Sequence, residues 1–216
     1  VVYSSVMAFA LSMWSYFGAV RAYFVLMLMV YAMVLFAEMM LDHIKVHFET
    51  ICMCFVSGVI IPYLLTSLIR ILTMDIGRYV ILIPFIVAFM NDAGAYFAGL
   101  RFGKHKLAPI VSPKKTVEGA IGGILGCVLL GEICTYVYQN IADQSDIFFH
   151  GVAPAFYLVV AVLGVIAAVL GILGDLFASV VKRQHGIKDY GTIFPGHGGI
   201  LDRFDSVLFV SLFVCM

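Results

Sequence analysis

The chain has 216 residues, of which 63% are hydrophobic and only 12% are charged. An ordinary soluble domain is roughly a quarter charged, so this composition excludes a protein whose whole surface faces water. Thirteen basic and thirteen acidic residues give a formal net charge of zero, which removes bulk charge as an argument for nucleic-acid binding.

Apolar stretches of the length that a membrane helix needs follow one another along the chain. Such a helix takes about 20 mostly apolar residues. The sequence therefore predicts an all-α, polytopic transmembrane bundle that forms a single catalytic domain over residues 1–216. Because the sequence starts and stops within apolar segments, we expect the domain to be truncated at both ends. The predicted spans lie near 2–20, 22–41, 50–69, 79–98, 118–139 and 155–178, with a partial span at 206–216.

The connections between these spans differ in charge, and the difference predicts the orientation. If the spans alternate in direction, one face of the membrane carries most of the basic residues, and the opposite face carries only Arg21, Arg70 and Arg78. Basic residues gather on the cytoplasmic side of membrane proteins. We therefore expect an integral protein of a bacterial-type inner or plasma membrane, with a polar cavity on its cytoplasmic face. The basic residues assigned to that face are Lys45, Arg101, Lys104, Lys106, Lys114, Lys115, Lys182, Arg183, Lys188 and Arg203.

A first polar cluster covers residues 91–119 and reads NDAGAYFAGLRFGKHKLAPIVSPKKTVEG. Asn91 and Asp92 stand near the cytoplasmic end of the fourth predicted span. For Asp92, contact with a metal or substrate and a salt bridge with a loop lysine are equally compatible with this position.

The same cluster leads into the fifth span through Lys114 and Lys115. Their charge would oppose the positive start of a helix unless an anion were present, so we favour phosphate binding. In the alternative, Ser112 or Thr116 together with Glu118 caps the first turn of the helix.

A second polar cluster covers residues 174–206 and reads GDLFASVVKRQHGIKDYGTIFPGHGGILDRFDS. A carboxylate near membrane depth is costly unless it is paired or binds an ion, so Asp175 and Asp202 need a partner. Hard oxygen ligands combined with substrate phosphates suit Mg²⁺. Arginine and lysine side chains supply the complementary charge for phosphoryl oxygens. A run of basic residues alone would only mark the membrane boundary, but here carboxylates, basic residues and a glycine-rich turn occur together.

This second cluster resembles the signature of the CDP-diacylglycerol synthase family, the phosphatidate cytidylyltransferases. The family pattern runs Ser, two residues, Lys-Arg, four residues, Lys-Asp, then a small residue, a Pro or Gly, His-Gly-Gly, and Asp-Arg-x-Asp. The first cluster is similar to that family as well. The pattern is filled by Ser179, Lys182, Arg183, Lys188, Asp189, Gly191, Pro195, His197, Gly198, Gly199, Asp202, Arg203 and Asp205.

The resemblance implies transfer of CMP from CTP to phosphatidate, giving CDP-diacylglycerol and pyrophosphate in phospholipid biosynthesis. It implies Mg²⁺ as cofactor with the number of cations left open, membrane lipid around the protein, a homodimer and no nucleic-acid partner. The implied catalytic residues are Asp175, Lys182, Arg183, Lys188, Asp189, His197, Asp202, Arg203 and Asp205, of which Asp175, Asp202 and Asp205 are the metal ligands. The implied substrate-binding residues are Asn91, Asp92, Lys114, Lys115, Thr116, Ser179, Gly198 and Gly199.

Two alternatives remain open on the sequence alone. The first is a cytidylyltransferase that acts on another lipid phosphate, such as an ether lipid, because the headgroup motifs would be shared. The second is a transporter, because acids within spans and broken helices also occur in transporters.

Overall fold

A computed structural model of the chain describes residues 2–17, 21–41, 46–74, 77–142, 154–191, 199 and 201–216. The mostly helical architecture that the sequence predicts is confirmed. In chain order the elements are α1 (Val2–Phe17), α2 (Arg21–Leu41), α3 (Phe48–Phe55), a π-helical turn (Val56–Ile60), α4 (Ile61–Leu72), α5 (Gly77–Val80), α6 (Leu82–Phe102), β1 (Lys106–Ala108), β2 (Ser112–Thr116), α7 (Val117–Ala142), α8 (Pro154–Gln184) and α9 (Leu201–Cys215).

Within the described residues, five helical segments are long and apolar enough to cross a membrane, and each matches a predicted span. Of the first predicted span, 2–20, the structure describes the 16 residues of α1, and residues 18–20 lie outside the described part of the chain. The last predicted span corresponds to a short apolar helix over Phe204–Cys215. The five long segments are Tyr23–Leu41, Phe48–Leu72, Leu82–Phe102, Val117–Val137 and Ala155–Gln184.

The expectation of an all-α chain is wrong between α6 and α7, where β1 and β2 form an antiparallel hairpin. Lys106 pairs with Thr116 and Ala108 pairs with Ser112, with an irregularity between the two pairs. The sequence pattern does not indicate the hairpin, because β1 and β2 have only three and five residues and Pro113 lies within β2. The hairpin places the lysines of the first polar cluster on a strand.

The chain divides into two compact units, and the prediction of a single domain stays a prediction. Unit 1 comprises residues 1–81 and 214–216, and unit 2 comprises residues 82–213. In unit 1, α1 buries Ser4, Met7, Leu11 and Ser15, whose spacing places them on one helix face. The Tyr31 hydroxyl donates to the carbonyl oxygen of Cys54 at 2.8 Å, just before the π-helical turn.

In unit 2, α6 and α7 pack with their backbones close together at glycines. A methyl group at Gly94 would lie 2.7 Å from the carbonyl oxygen of Gly122, so a larger residue does not fit there. Asn91 is only 2% exposed, and its Nδ2 donates to the carbonyl oxygen of Ala168 on α8 at 3.2 Å. The close approach of α6, α7 and α8 brings both polar clusters into the same unit.

Candidate active site

The start of α7 is held by local hydrogen bonds that also fix the hairpin. Thr116 caps the helix, because its Oγ1 accepts a hydrogen bond from the Gly119 backbone N–H at 3.1 Å. The carboxylate of Glu118 interacts with its own backbone N–H group in the first turn of α7. It accepts hydrogen bonds from the backbone N–H groups of Lys104 and His105 at 3.1 and 3.2 Å, and it contacts the His105 ring at 2.6 Å. Glu118 therefore anchors the loop between α6 and β1.

A cavity of about 420 Å³ opens beside this hairpin. Its polar lining is strongly basic, with three lysines and one carboxylate, and its apolar lining comes from α6, α7 and α8. This mixture suits a ligand that joins phosphate groups to a less polar part. The lining residues are Asn91, Asp92, Ala95, Tyr96, Gly99, Leu100, Gly103, Lys106, Leu107, Lys114, Lys115, Thr116, Gly119, Ala120 and Ile172.

The two polar clusters meet in an ion pair. The Nζ atom of Lys115 on β2 contacts the carboxylate of Asp175 on α8, although 60 residues separate them in sequence. Ser179, one turn further along α8, donates from its hydroxyl to the other oxygen of Asp175 at 3.4 Å. Helix α8 continues to Gln184, beyond the predicted end of the sixth span, so Asp175, Ser179 and Lys182 lie on one helix face.

A second ion pair joins α8 to α9. Lys182 Nζ donates to Asp202 Oδ1 at 2.8 Å, and the backbone N–H groups of Tyr190 and Gly199 donate to Oδ2 at 2.8 and 2.9 Å. The Tyr190 ring lies 5.4 Å from Lys182 Nζ, and its hydroxyl donates to the carbonyl oxygen of Ala178 at 3.0 Å. We call this set, Lys182, Tyr190, Gly199 and Asp202, the Asp202 clasp. It ties the segment after α8 to the start of α9.

The electrostatics of the clasp keep Asp202 ionised. Burial raises the pKa of the Asp202 carboxyl, but the Lys182 ammonium and the backbone N–H groups of Gly199 and Tyr190 outweigh burial and bring its pKa below the ordinary value. Burial raises the pKa of the Tyr190 phenol, and the carboxylates of Asp202 and Asp205 raise it further. The phenol therefore stays protonated and can donate to Ala178.

The carboxylates of Asp92, Asp175 and Asp205 lie in one region of unit 2. Asp175 acts electrostatically on both Asp92 and Asp205, so the three acids share one region of unit 2. Mg²⁺ is commonly bound through one or two carboxylates together with substrate phosphates, and these oxygen donors fit that requirement. Among the residues that the structure describes, no three His, Cys, Asp or Glu side chains are arranged to hold a metal by themselves.

The ligand set Asp175, Asp202 and Asp205 stays a prediction. Three hydrogen bonds already occupy the Asp202 carboxylate, whereas Asp205 accepts one from the Ser206 backbone N–H at 2.8 Å. The carboxylate of Asp205 therefore has more oxygen acceptors left for a metal than that of Asp202, whereas the oxygens of Asp175 contact Lys115 and Ser179.

Other predicted residues lie at the edge of the site or outside the described part of the chain. Arg183 Nε donates to the carbonyl oxygen of Val111 at 3.3 Å, which links the end of α8 to the turn of the hairpin. Lys188 and Asp189 are exposed in the segment that follows α8. The predicted positions His197 and Gly198, and the side chain of Arg203, lie outside the described residues.

Sequence reasoning missed three contributors to this region. Tyr190 contributes to the Asp202 clasp. Its position between Asp189 and Gly191, within the second polar cluster, was the only feature of the sequence that pointed to this role. Lys106 lines the cavity, whereas the sequence indicates only a basic residue of the cytoplasmic face. His105 lacks the spacing of a metal ligand in the sequence, and in the structure it contacts Glu118.

Comparison with known proteins agrees with these features. A profile described as the Cytidylyltransferase family matches residues 1–216. A phosphatidate cytidylyltransferase of Staphylococcus saprophyticus subsp. saprophyticus is 42% identical over 138 residues, which are 64% of this chain and 48% of that protein. Those of Bacillus subtilis and Staphylococcus epidermidis are 44% identical over 129 residues and 45% identical over 138 residues.

The matched parts are 60% of this chain and 43% of the Bacillus subtilis protein, and 64% of this chain and 48% of the Staphylococcus epidermidis protein. The chain thus spans about half the length of the curated relatives it matches. Because the family profile extends over all 216 residues, the chain belongs to the cytidylyltransferase family.

Proposed function

We propose that the chain carries the catalytic site of a phosphatidate cytidylyltransferase. An oxygen of the phosphatidate phosphate attacks the α-phosphorus of CTP, the bond from that phosphorus to the bridging oxygen breaks, and pyrophosphate leaves. The products are CDP-diacylglycerol and pyrophosphate. The observation that carries the proposal is the ion pair between Lys115 and Asp175, which joins the two polar clusters beside a lysine-lined cavity.

The basic residues serve the phosphates in this proposal. Lys106, Lys114 and Lys115 line the cavity and neutralise the triphosphate of CTP, while Lys182 and Arg183 lie toward the end of α8. Charge neutralisation and alignment supply most of the catalysis in such a displacement, which needs no covalent intermediate with the protein. The Asp202 clasp holds Lys182 in position for this role.

The acidic residues serve the cation in this proposal. Asp175 and Asp205 would hold Mg²⁺, with Asp92 nearby and Asp202 retained as a candidate ligand. The ion would neutralise charge on the reacting phosphates. Entry of phosphatidate from the leaflet and of CTP from the cytosol requires a site at the cytoplasmic face, and the basic character of the hairpin supports that orientation. A homodimer in a bacterial-type plasma membrane completes the proposal.

The experiment that tests this function is turnover by the purified protein in detergent. CTP labelled at the α-phosphate is incubated with phosphatidate and Mg²⁺, and label in lipid and released pyrophosphate are measured. Equal amounts of labelled lipid and pyrophosphate are expected. Diacylglycerol, which lacks the phosphate, is the matched control substrate and should receive no label. An ether-linked lipid phosphate tests the alternative acceptor, and absence of labelled lipid with every phosphate acceptor would reject the proposal.

A further inference from the structure

Unit 1 contains an arginine within an apolar helical segment. Arg70 lies near the end of α4, within the apolar segment Phe48–Leu72. Its guanidinium carbon lies 4.3 Å from the centre of the Tyr63 ring, two helical turns back, and Nη2 contacts the Tyr63 carbonyl oxygen at 3.4 Å. The side chain therefore runs back along the helix. Among the ion pairs of the described residues, none involves Arg70.

Buried hydrogen-bond donors are left without partners around this arginine. Within the described residues, three such atoms in unit 1 are Arg70 Nε, Trp14 Nε1 and Ser15 Oγ. Guanidinium and indole nitrogens can only donate, and a serine hydroxyl can donate as well. Ser15 is 4% exposed, so bulk water does not satisfy it. Burying donors without acceptors is unfavourable, and an acceptor is the group that this region lacks.

Aromatic contacts connect Trp14 to Arg70. The Trp14 ring centre lies 4.9 Å from that of Phe24, and Phe24 lies 5.6 Å from Tyr63, the ring on which Arg70 stacks. Ser15 follows Trp14 on α1, which packs against α4. Trp14 on α1 and Arg70 on α4 thus lie at the two ends of one series of aromatic contacts, and Ser15 adjoins Trp14 in sequence.

We propose that Arg70, Trp14 and Ser15 bind the phosphate group of an anionic phospholipid. A phosphate offers several acceptor oxygens and a negative charge, so it can satisfy all three donors and neutralise the guanidinium. Tryptophan and arginine near the ends of apolar helices lie at the depth of lipid headgroups. A single water molecule would accept from at most two of these donors and would leave the charge unpaired. The site uses none of the candidate active-site residues and does not depend on the proposed function.

Native mass spectrometry of the detergent-purified protein tests the site. Phosphatidylglycerol, phosphatidylcholine and diacylglycerol are titrated separately, and inorganic phosphate is titrated without lipid. Phosphatidylglycerol should bind most tightly, phosphatidylcholine more weakly, and diacylglycerol not at this site. Arg70→Gln removes the charge and should weaken phosphatidylglycerol binding by about tenfold or more. Trp14→Phe keeps an aromatic ring but removes the N–H group, and it should weaken binding by about threefold to tenfold.

The matched control is Arg101→Gln. Arg101 also ends an apolar helix and lies 6.0 Å from the ring centre of Phe102, but it is exposed on α6. This variant should bind phosphatidylglycerol as the unaltered protein does. Equal binding of diacylglycerol, or unchanged binding by Arg70→Gln, overturns the proposal. Binding of inorganic phosphate alone with equal affinity overturns the assignment to lipid. If Arg70→Gln does not fold, unchanged binding by Trp14→Phe is the overturning result.

Discussion

Replacement of Asp202 by Asn removes the charge from the centre of the Asp202 clasp with little change in shape. The carboxylate accepts hydrogen bonds from Lys182 Nζ at 2.8 Å and from the Tyr190 and Gly199 N–H groups at 2.8 and 2.9 Å. An amide has a single oxygen acceptor. In either orientation its NH₂ group must face the Lys182 ammonium or the two backbone N–H groups. At least one hydrogen bond is then replaced by a repulsive contact between two donors.

The size of the effect follows from these contacts. A hydrogen bond to a charged group contributes about 1.5 to 3 kcal/mol. The side chains of Lys182 and Asp202 are 13% and 7% exposed, so solvent screens the pair only in part. Loss of two such bonds at the lower end of that range amounts to about 3 kcal/mol, or about 100-fold in the equilibrium for opening the clasp.

Hydrogen–deuterium exchange at the Tyr190 amide measures that equilibrium directly, because this amide donates to Asp202. We expect Asp202→Asn to speed exchange at Tyr190 by about 100-fold and to lower CMP transfer by a similar factor. Glu49→Gln, the same change at an exposed carboxylate on α3, is the matched control and should alter neither quantity. Exchange at Tyr190 that is unchanged in Asp202→Asn would refute the structural role of the clasp.

Three further predictions concern the Lys115 ion pair, the packing of α6 on α7, and the pH dependence of the Asp202 clasp. Lys115→Met leaves Asp175 without its ion-pair partner and should reduce CMP transfer by about 100-fold. The control Lys104→Met should retain activity. Equal activities of these two variants would contradict the role of Lys115. Gly94→Ala brings a methyl group to 2.7 Å from the Gly122 carbonyl oxygen and should destabilise the protein by about 1 to 3 kcal/mol in thermal unfolding. Gly126→Ala, whose methyl group would lie 3.6 Å from its nearest neighbour, should have little effect, and similar unfolding of both variants would argue against this packing. Because the pKa of Asp202 is lowered, its stabilising contribution is present above the ordinary carboxyl pKa and is lost only as pH falls through the lowered value. Exchange at Tyr190, corrected for intrinsic rates, should therefore show an intact clasp from pH 7 to pH 5, and opening within that interval would contradict the assignment.

The helices were predictable because lipid imposes a simple requirement on sequence. Each long apolar segment must satisfy its backbone internally, so length and composition suffice to place it. The capping role of Thr116 was also foreseen as one alternative, since capping depends on residues three positions apart. What the pattern could not give was the continuation of α8 through Lys182 to Gln184, because polar residues at a membrane boundary suit a helix or a loop.

The site was harder to predict than the helices because its contacts join distant positions. The motifs identified Lys115 and Asp175 separately, but spacing says nothing about an ion pair across 60 residues. Substrate binding by Asn91 stays a prediction, and the structure shows its amide linking α6 to α8. For Asp202, the sequence indicated a carboxylate in need of a partner, and the structure supplies Lys182 and two backbone donors.

Chemical labelling of lysines in the presence of CTP tests most directly whether the lysine-lined cavity is a nucleotide site. The protein is treated with an amine-reactive reagent, with and without CTP and Mg²⁺, and modification of each lysine is followed by mass spectrometry. CTP should slow the labelling of Lys106, Lys114 and Lys115, which line the cavity, while the exposed Lys104 should react at the same rate throughout. Equal labelling of all four lysines with and without saturating CTP would contradict the proposed site.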